Sequence, residues 1–256
     1  MAERVKISVC MATYQGERFI EEQLDSILPQ LGPNDEVIVS DDGSTDDTLG
    51  RIKAYKDPRI RLFENDRNLG YSKNFEHALI QASGDIIFIA DQDDVWLPDK
   101  VSTMLVSLKS HDMVVSDVTI VDGALSQIDP SHFQHYGVHK GFLHNLLKTR
   151  YIGAAMAMHR SVLDLLVPMP SKSSLCAYDY WIAVVSELYF DVGLVNRPLM
   201  LYRRHEGTAS TGGSRSVYTL SHRLLVRAYT LYHLSKLARR RHKFSDAVNR
   251  RSSASA

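Results

Sequence analysis

The sequence predicts an α/β domain built on a mostly parallel sheet with helices on both faces, and three observations predict it. Short β-type runs alternate with helical patterns over the first 120 positions, the signature of parallel strands joined by crossover helices. Polar clusters fall directly behind three of those runs, where such sheets bind ligands. At 256 residues, 44% hydrophobic and 23% charged, the chain has an ordinary globular composition with room for one large domain and an appendage.

Taken in order, 5–12 reads as a strand and 17–30 as a helix. The pairs 36–40 with 47–55, and 59–64 with 72–82, repeat that alternation. A fourth strand covers 85–90, and Pro98 is expected to open the next helix, since proline suits a first turn. Val114 to Ser116 marks a fifth strand. Beyond 125 the pattern loosens into a polar, His-containing stretch at 131–144 and an apolar segment at 152–158. A helix at 178–188 and strand-like runs at 190–195 and 198–202 follow. This second half is expected to complete the same domain, a first half of about 1–120 joined to a second of about 121–212. Residues 213–256 form a basic helical tail with a disordered end at 252–256.

Charge and cysteine content narrow the class. Thirty basic and thirty acidic residues cancel, so net charge implies no partner, and nothing else supports nucleic-acid binding. Cys10 and Cys176 are too few for a disulfide framework. The first six residues lack the apolar core of a signal peptide, and no run of about 18 apolar residues exists, so a cytoplasmic protein is expected.

The strongest chemical signal is Asp91-Gln92-Asp93-Asp94, behind the apolar run Ile86 to Ile89. Carboxylates so crowded are costly unless a divalent cation and an anionic ligand compensate them, which points to metal-assisted phosphate chemistry. A second cluster, Asp41 to Asp47, combines a strand end, a glycine turn and a helix start. Ser44 or Thr45 is expected to cap that helix, with Asp46 and Asp47 in its first turn. Asp41 then projects from the strand end, where its carboxylate can accept from the imide N–H of a uracil or thymine, or from a ribose hydroxyl.

Asp41-Asp42-Gly43-Ser44-Thr45-Asp46, with Thr13-Tyr14 before it and Asp91-Gln92-Asp93-Asp94 about fifty residues on, resembles the family-2 glycosyltransferases. These are inverting, nucleotide-sugar-dependent enzymes of the GT-A fold, and the resemblance covers roughly residues 5–210. It implies a donor nucleotide site at Thr13, Tyr14, Asp41, Asp42, Asn68, Gly70, Asp91 and Gln92. Asp91-Gln92-Asp93 matches the family's D-x-D motif, with Asp93 the direct ligand of Mg²⁺ or Mn²⁺. Asp94 matches an additional family acid, and Trp96 to Asp99 a W-x-P-D continuation, although core packing explains Trp96 equally well.

Asp179, in Tyr178-Asp179-Tyr180-Trp181, matches the acceptor-side base, while its plain alternative is a helix N-terminal acid. Read from the residues alone, it is an acid among aromatics that could shape a sugar platform. Tyr202-Arg203-Arg204-His205 resembles the Y-R-x-H segment. It offers His205 to the metal or diphosphate and Arg203 or Arg204 against the leaving group, unless the histidine is structural. Gly153-Ala154-Ala155 resembles the small-residue acceptor loop, or is a buried strand start. Asn68-Leu69-Gly70 resembles the donor-side N-x-G loop, where the glycine is also explained by a turn alone.

The resemblance is nearest to the rhamnosyltransferase-type branch, which implies dTDP-rhamnose as donor with UDP-hexoses as rivals. It implies a glycan or lipid-linked oligosaccharide acceptor in bacterial cell-surface polysaccharide synthesis. The tail's arginines alternate with leucines and tyrosines at 220, 224, 225, 229, 231, 232, 234 and 237. That combination favours peripheral attachment to an anionic membrane face over a merely solvated helix. Two rivals stay open: a phosphohydrolase with Asp91 as nucleophile, and an inactive nucleotide-sugar-binding module.

Overall fold

The computed structural model describes residues 5–206 and 219–254, without the side chains of 241–254. Four parallel strands, β1 (Ile7–Thr13), β2 (Glu36–Asp41), β3 (Ile60–Glu64) and β4 (Ile86–Asp91), stand in the order β3-β2-β1-β4. The helices α1 (Ile20–Ile27), α2 (Thr48–Ala54) and α3 (Tyr71–Gln81) join them. Every residue of β2, and all of β4 but its last, is buried. Successive side chains point to opposite faces, so an unbroken buried run means both faces are covered.

The remaining strands are β5 (Val95–Trp96), β6 (Met113–Asp122), β7 (Gln127–Asp129), β8 (Met156–His159) and β9 (Val192–Arg204). They extend the sheet as β4-β8-β6-β9-β5, with β7 on β6. β8 is antiparallel to both β4 and β6 and separates the two parallel portions. The apolar segment expected at 152–158 thus divides into a 3₁₀ turn at Gly153–Ala155 and this central strand. The two runs expected at 190–195 and 198–202 are one strand, β9. Register shifts against β6 near Asp117 accommodate the interruption at Arg197-Pro198.

Three helix boundaries differ from expectation. The 17–30 helix is α1 followed by a 3₁₀ turn at Leu28–Gln30, because Pro29 has no N–H to continue the α pattern. Pro98 precedes the next helix, α4 (Lys100–Ser107), instead of opening it. α2 begins only at Thr48, too late for Ser44 or Thr45 to cap it. Asp47 occupies the N-cap without a side-chain capping bond, and the preceding Asp46 accepts from the Thr48 amide through Oδ1 at 3.1 Å.

The second half adds α5 (His132–Tyr136), α6 (Phe142–Lys148), α7 (Arg160–Leu166) and α8 (Tyr178–Tyr189). A last helix, α9 (Leu220–Ala254), runs past the expected disorder at 252, while the composition break at 211–214 and residues 255–256 lie outside the described residues. α9 packs through Thr230, Leu234 and Leu237, which are buried, and the Tyr229 hydroxyl accepts from the Lys172 amide at 3.2 Å. Among the described residues no helix is long and apolar enough to cross a membrane.

Candidate active site

Register brings the three polar clusters together. Thr13 is the cross-strand partner of Asp41, and Ala12 that of Asp91, so the carboxyl ends of β2, β1 and β4 are level. β1 has neighbours on both sides reached by opposite crossovers, the switch point at which open α/β sheets bind ligands.

The loop after β1 is tied to Asp91-Gln92-Asp93 by a reciprocal amide pair. The Tyr14 N–H donates to Gln92 Oε1 at 2.9 Å, and Gln92 Nε2 donates to the Tyr14 carbonyl at 3.0 Å. A Cβ at Gly16 would overlap Gln92 Oε1, so this packing requires glycine there. Sequence reading passed over Gly16, although Thr13-Tyr14-Gln15-Gly16 carries the signal of a tight turn at a strand end. Gly16→Ala is expected to displace Gln92 and raise the donor KM with little change in kcat; steady-state kinetics checks this.

Asp41 and Asp42 are engaged within the protein instead of offering free carboxylates. Asp41 is fully buried: Oδ2 accepts from Thr13 Oγ1 (2.8 Å) and Ser44 Oγ (2.6 Å), and Oδ1 from the amides of Gly43 (3.1 Å) and Ser44 (2.8 Å). Four donors match the acceptor capacity of a carboxylate, so Asp41 orients Thr13 and the turn. Asp42 accepts from the amides of Leu69 (2.7 Å) and Gly70 (2.8 Å) and holds the 65–70 loop against β2. Asn68 is exposed, its Oδ1 accepting from the Gly70 amide, and Gly70 has φ +81°, a turn that favours glycine.

The fold brings together Asp93 and His205, two residues 112 positions apart in the chain. His205 Nε2 lies 2.7 Å from Asp93 Oδ2, and the imidazole packs on the Phe19 ring with centroids 4.7 Å apart. Arg203, expected at the diphosphate, is instead buried behind the D-x-D loop. Its backbone N–H donates to Asp94 Oδ1 (3.0 Å), Nε to the Asp93 carbonyl (2.7 Å) and Nη1 to the Gly123 carbonyl (2.8 Å), while Nη2 pairs with Glu22. Arg203→Ala would strand the buried Asp93 carbonyl and the half-buried Gly123 carbonyl and is expected to lower stability by about 1–3 kcal/mol. A denaturant melt reads that loss. Arg204 is half-buried and reaches the Tyr202 hydroxyl at 3.5 Å.

The electrostatics match a site short of positive charge. Burial, then the Asp93 and Asp179 carboxylates, push Asp91 up. Burial with Asp93 and Asp91 does the same to Asp94, whose Oδ2 is buried without a partner among the described residues. Asp179, in the first turn of α8, is raised chiefly by burial, and its Oδ1 accepts from the Tyr180 amide at 2.7 Å.

Among the described residues no three His, Cys, Asp or Glu side chains stand together to hold a metal ion. The donor set nonetheless fits a hard divalent cation with few protein ligands: a carboxylate and an imidazole in contact, beside acids raised by burial and then by one another's charge.

The tryptophans beside the motif acids are structural. Trp96 is buried against Phe88, and Trp181 donates its indole N–H to the Leu166 carbonyl at 3.0 Å. Both belong to the core, and neither forms a sugar platform. The Lys100 ammonium, which burial pushes down to about 7, sits 5.0 Å over the Trp96 ring and donates to the buried Ala154 carbonyl at 3.2 Å. A Cβ on Gly153 would overlap the Tyr178 hydroxyl, and Tyr178 is stacked on Phe75 at 4.1 Å. Gly153→Ala is therefore expected to cost about 1–3 kcal/mol in overpacking, visible as a lowered melting temperature.

Fold and site together define a GT-A-type α/β domain. The chain matches the model of Glycosyl transferase family 2 over residues 8–166, more than half its length, and belongs to that family. It is 38% identical over 109 residues to the putative glycosyltransferase EpsE of Bacillus subtilis, covering 41% of this chain and 39% of that one. It is 33% identical over 99 residues, 39% of each chain, to an Escherichia coli protein, WfgD, named as a UDP-Glc:alpha-D-GlcNAc-diphosphoundecaprenol beta-1,3-glucosyltransferase. The matched regions span about two fifths of the length of these relatives.

Two solved structures share the fold. S. aureus TarS 1–349 in complex with UDP-GlcNAc superposes with a TM-score of 0.67 at 22% identity, over 88% of this chain and 65% of that one. The Pyrobaculum calidifontis mannosyltransferase PcManGT in complex with GDP-Man and Mn²⁺ gives 0.62 at 22%, over 82% and 59%. Family membership sets the phosphohydrolase reading aside.

Proposed function

We propose that this chain transfers a hexose from a UDP-sugar to a hydroxyl of a lipid-linked oligosaccharide, with inversion, in bacterial cell-surface polysaccharide synthesis. The observation that carries this reading is the Asp93–His205 contact, which joins the D-x-D motif to the Y-R-x-H segment at the switch point of the sheet. The names of WfgD and of the TarS complex support uridine over the dTDP-rhamnose that sequence resemblance favoured.

Asp93 and His205 would hold Mg²⁺ or Mn²⁺, which supplies charge stabilisation for the departing nucleoside diphosphate. Thr13, Tyr14, Asp91 and Gln92 line the donor side, Asp41 and Asp42 fix its loops, and Arg204 faces the diphosphate. Asp94 braces the D-x-D loop through the Arg203 amide. On the acceptor side Asp179 takes the hydroxyl proton as that oxygen attacks the anomeric carbon opposite the leaving group, which inverts the configuration. Gly153 and Ala154 form the small-residue wall beside it. Residues 1–212 are the catalytic domain and 213–256 the appendage, which attaches the protein to the inner face of the cell membrane through its basic residues.

Incubation with UDP-Glc, UDP-GlcNAc or dTDP-rhamnose and a polyprenyl-diphosphate-linked GlcNAc tests this. Release of UDP with a new glycosidic bond of inverted configuration is expected. Turnover with dTDP-rhamnose alone would overturn the donor assignment. Inorganic phosphate release, or donor binding without turnover, would overturn the reaction.

A further inference from the structure

α9 has two faces, and only one is used by the fold. Thr230, Leu234 and Leu237 face the domain, while Leu220, Leu224 and Leu231, on another side of the helix, are 73%, 63% and 49% exposed. α6 contributes Leu143 and Leu147, one turn apart, at 69% and 62% exposure. The two helices meet there: Arg227, whose helical position borders the α9 leucines, donates to the Leu147 carbonyl. Neither 138–150 nor 219–240 contains an acidic residue, whereas Lys148, Arg223, Arg227, Lys236 and Arg239 lie along the same two segments.

The ledge is also tied to the acceptor end of the site. The Tyr180 hydroxyl, next in the chain to Asp179, donates to the α6 Leu146 carbonyl at 2.8 Å. α6 therefore carries two of the exposed leucines and also contacts the residue next to the proposed base.

We infer that the exposed leucines of α6 and α9 form one docking surface for an anionic lipid bilayer, which brings a lipid-anchored acceptor to Asp179. The inference rests on the acceptor class proposed above and adds α6, which sequence reading did not include. Leucines rimmed by cations without acids suit acyl chains beneath anionic headgroups. A second copy of this chain is a poor occupant, because facing copies would set lysines and arginines against their own kind.

The test is sedimentation of the full chain with phosphatidylcholine vesicles, with and without phosphatidylglycerol, for wild type and L143S/L147S. Both variant positions are exposed, so folding should persist, and equal melting curves check that. Wild type is expected to bind the anionic vesicles only and to be released by salt, while the variant binds about tenfold more weakly. The variant should transfer normally to a short water-soluble acceptor and lose rate only on vesicle-borne acceptor. Equal vesicle binding by both proteins would overturn the role of α6. Wild-type dimers that the variant converts to monomers, without vesicle binding, would assign the face to a second copy instead. Absence of transfer to the soluble acceptor, with vesicle binding intact, would count against the proposed reaction and leave the docking surface standing.

Discussion

Replacing Asp179 by Asn is expected to lower kcat by about 10²–10⁴, the usual contribution of a positioned general base, with the donor KM nearly unchanged. Asn keeps the size of the side chain and an oxygen that can accept from the Tyr180 amide, so packing at the start of α8 should survive. The pH profile separates this role from a structural one. Burial raises Asp179 above the ordinary carboxylate range, near 4, and a base must be deprotonated to work. Wild-type kcat/KM should therefore fall with decreasing pH through a point above that range, and the residual activity of Asp179→Asn should lose that acid limb. Unaltered turnover would remove Asp179 from the mechanism.

Asp93→Ala is expected to lower kcat/KM by about a thousandfold, since several kcal/mol of charge stabilisation amount to about three decades in rate. The substitution spares the Asp93 carbonyl that Arg203 binds, so the loop should keep its backbone anchor. His205→Ala should act in the same direction and raise the Mn²⁺ concentration needed for half-maximal activity. Activity of Asp93→Ala with Mn²⁺ equal to that of wild type with Mn²⁺ would contradict a metal role.

These residues differ in how far the sequence alone reveals them. The strand ends at Thr13, Asp41 and Asp91 are legible because a buried strand is a local apolar run and its polar terminus follows at once. The 152–158 segment shows where that fails. Its apolar character is plain, but nothing local says that β8 runs antiparallel between β4 and β6. Trp96 and Trp181 stand beside motif acids, and the fold buries both, because a large aromatic beside a site is as useful to the core as to a ligand.

Arg203 is the most instructive case. Charge and position suggested the diphosphate, yet its guanidinium is spent on Asp93, Gly123 and Glu22, an engagement that only the folded geometry reveals. The same holds for Asp41, whose four donors come partly from the turn that follows it. The pairing of Asp93 with His205 was within reach of motif reasoning, since both were proposed as ligands, but its proximity was not.

We assign Asp93 and His205 to the metal end of a nucleotide-sugar site. Calorimetric titration of UDP-GlcNAc and UDP-Glc into the wild-type protein and Asp93→Ala, each with Mn²⁺ and with chelator, tests it most directly. Binding that is tight only for wild type with Mn²⁺ is the predicted result, and equal affinity in all four conditions would contradict it.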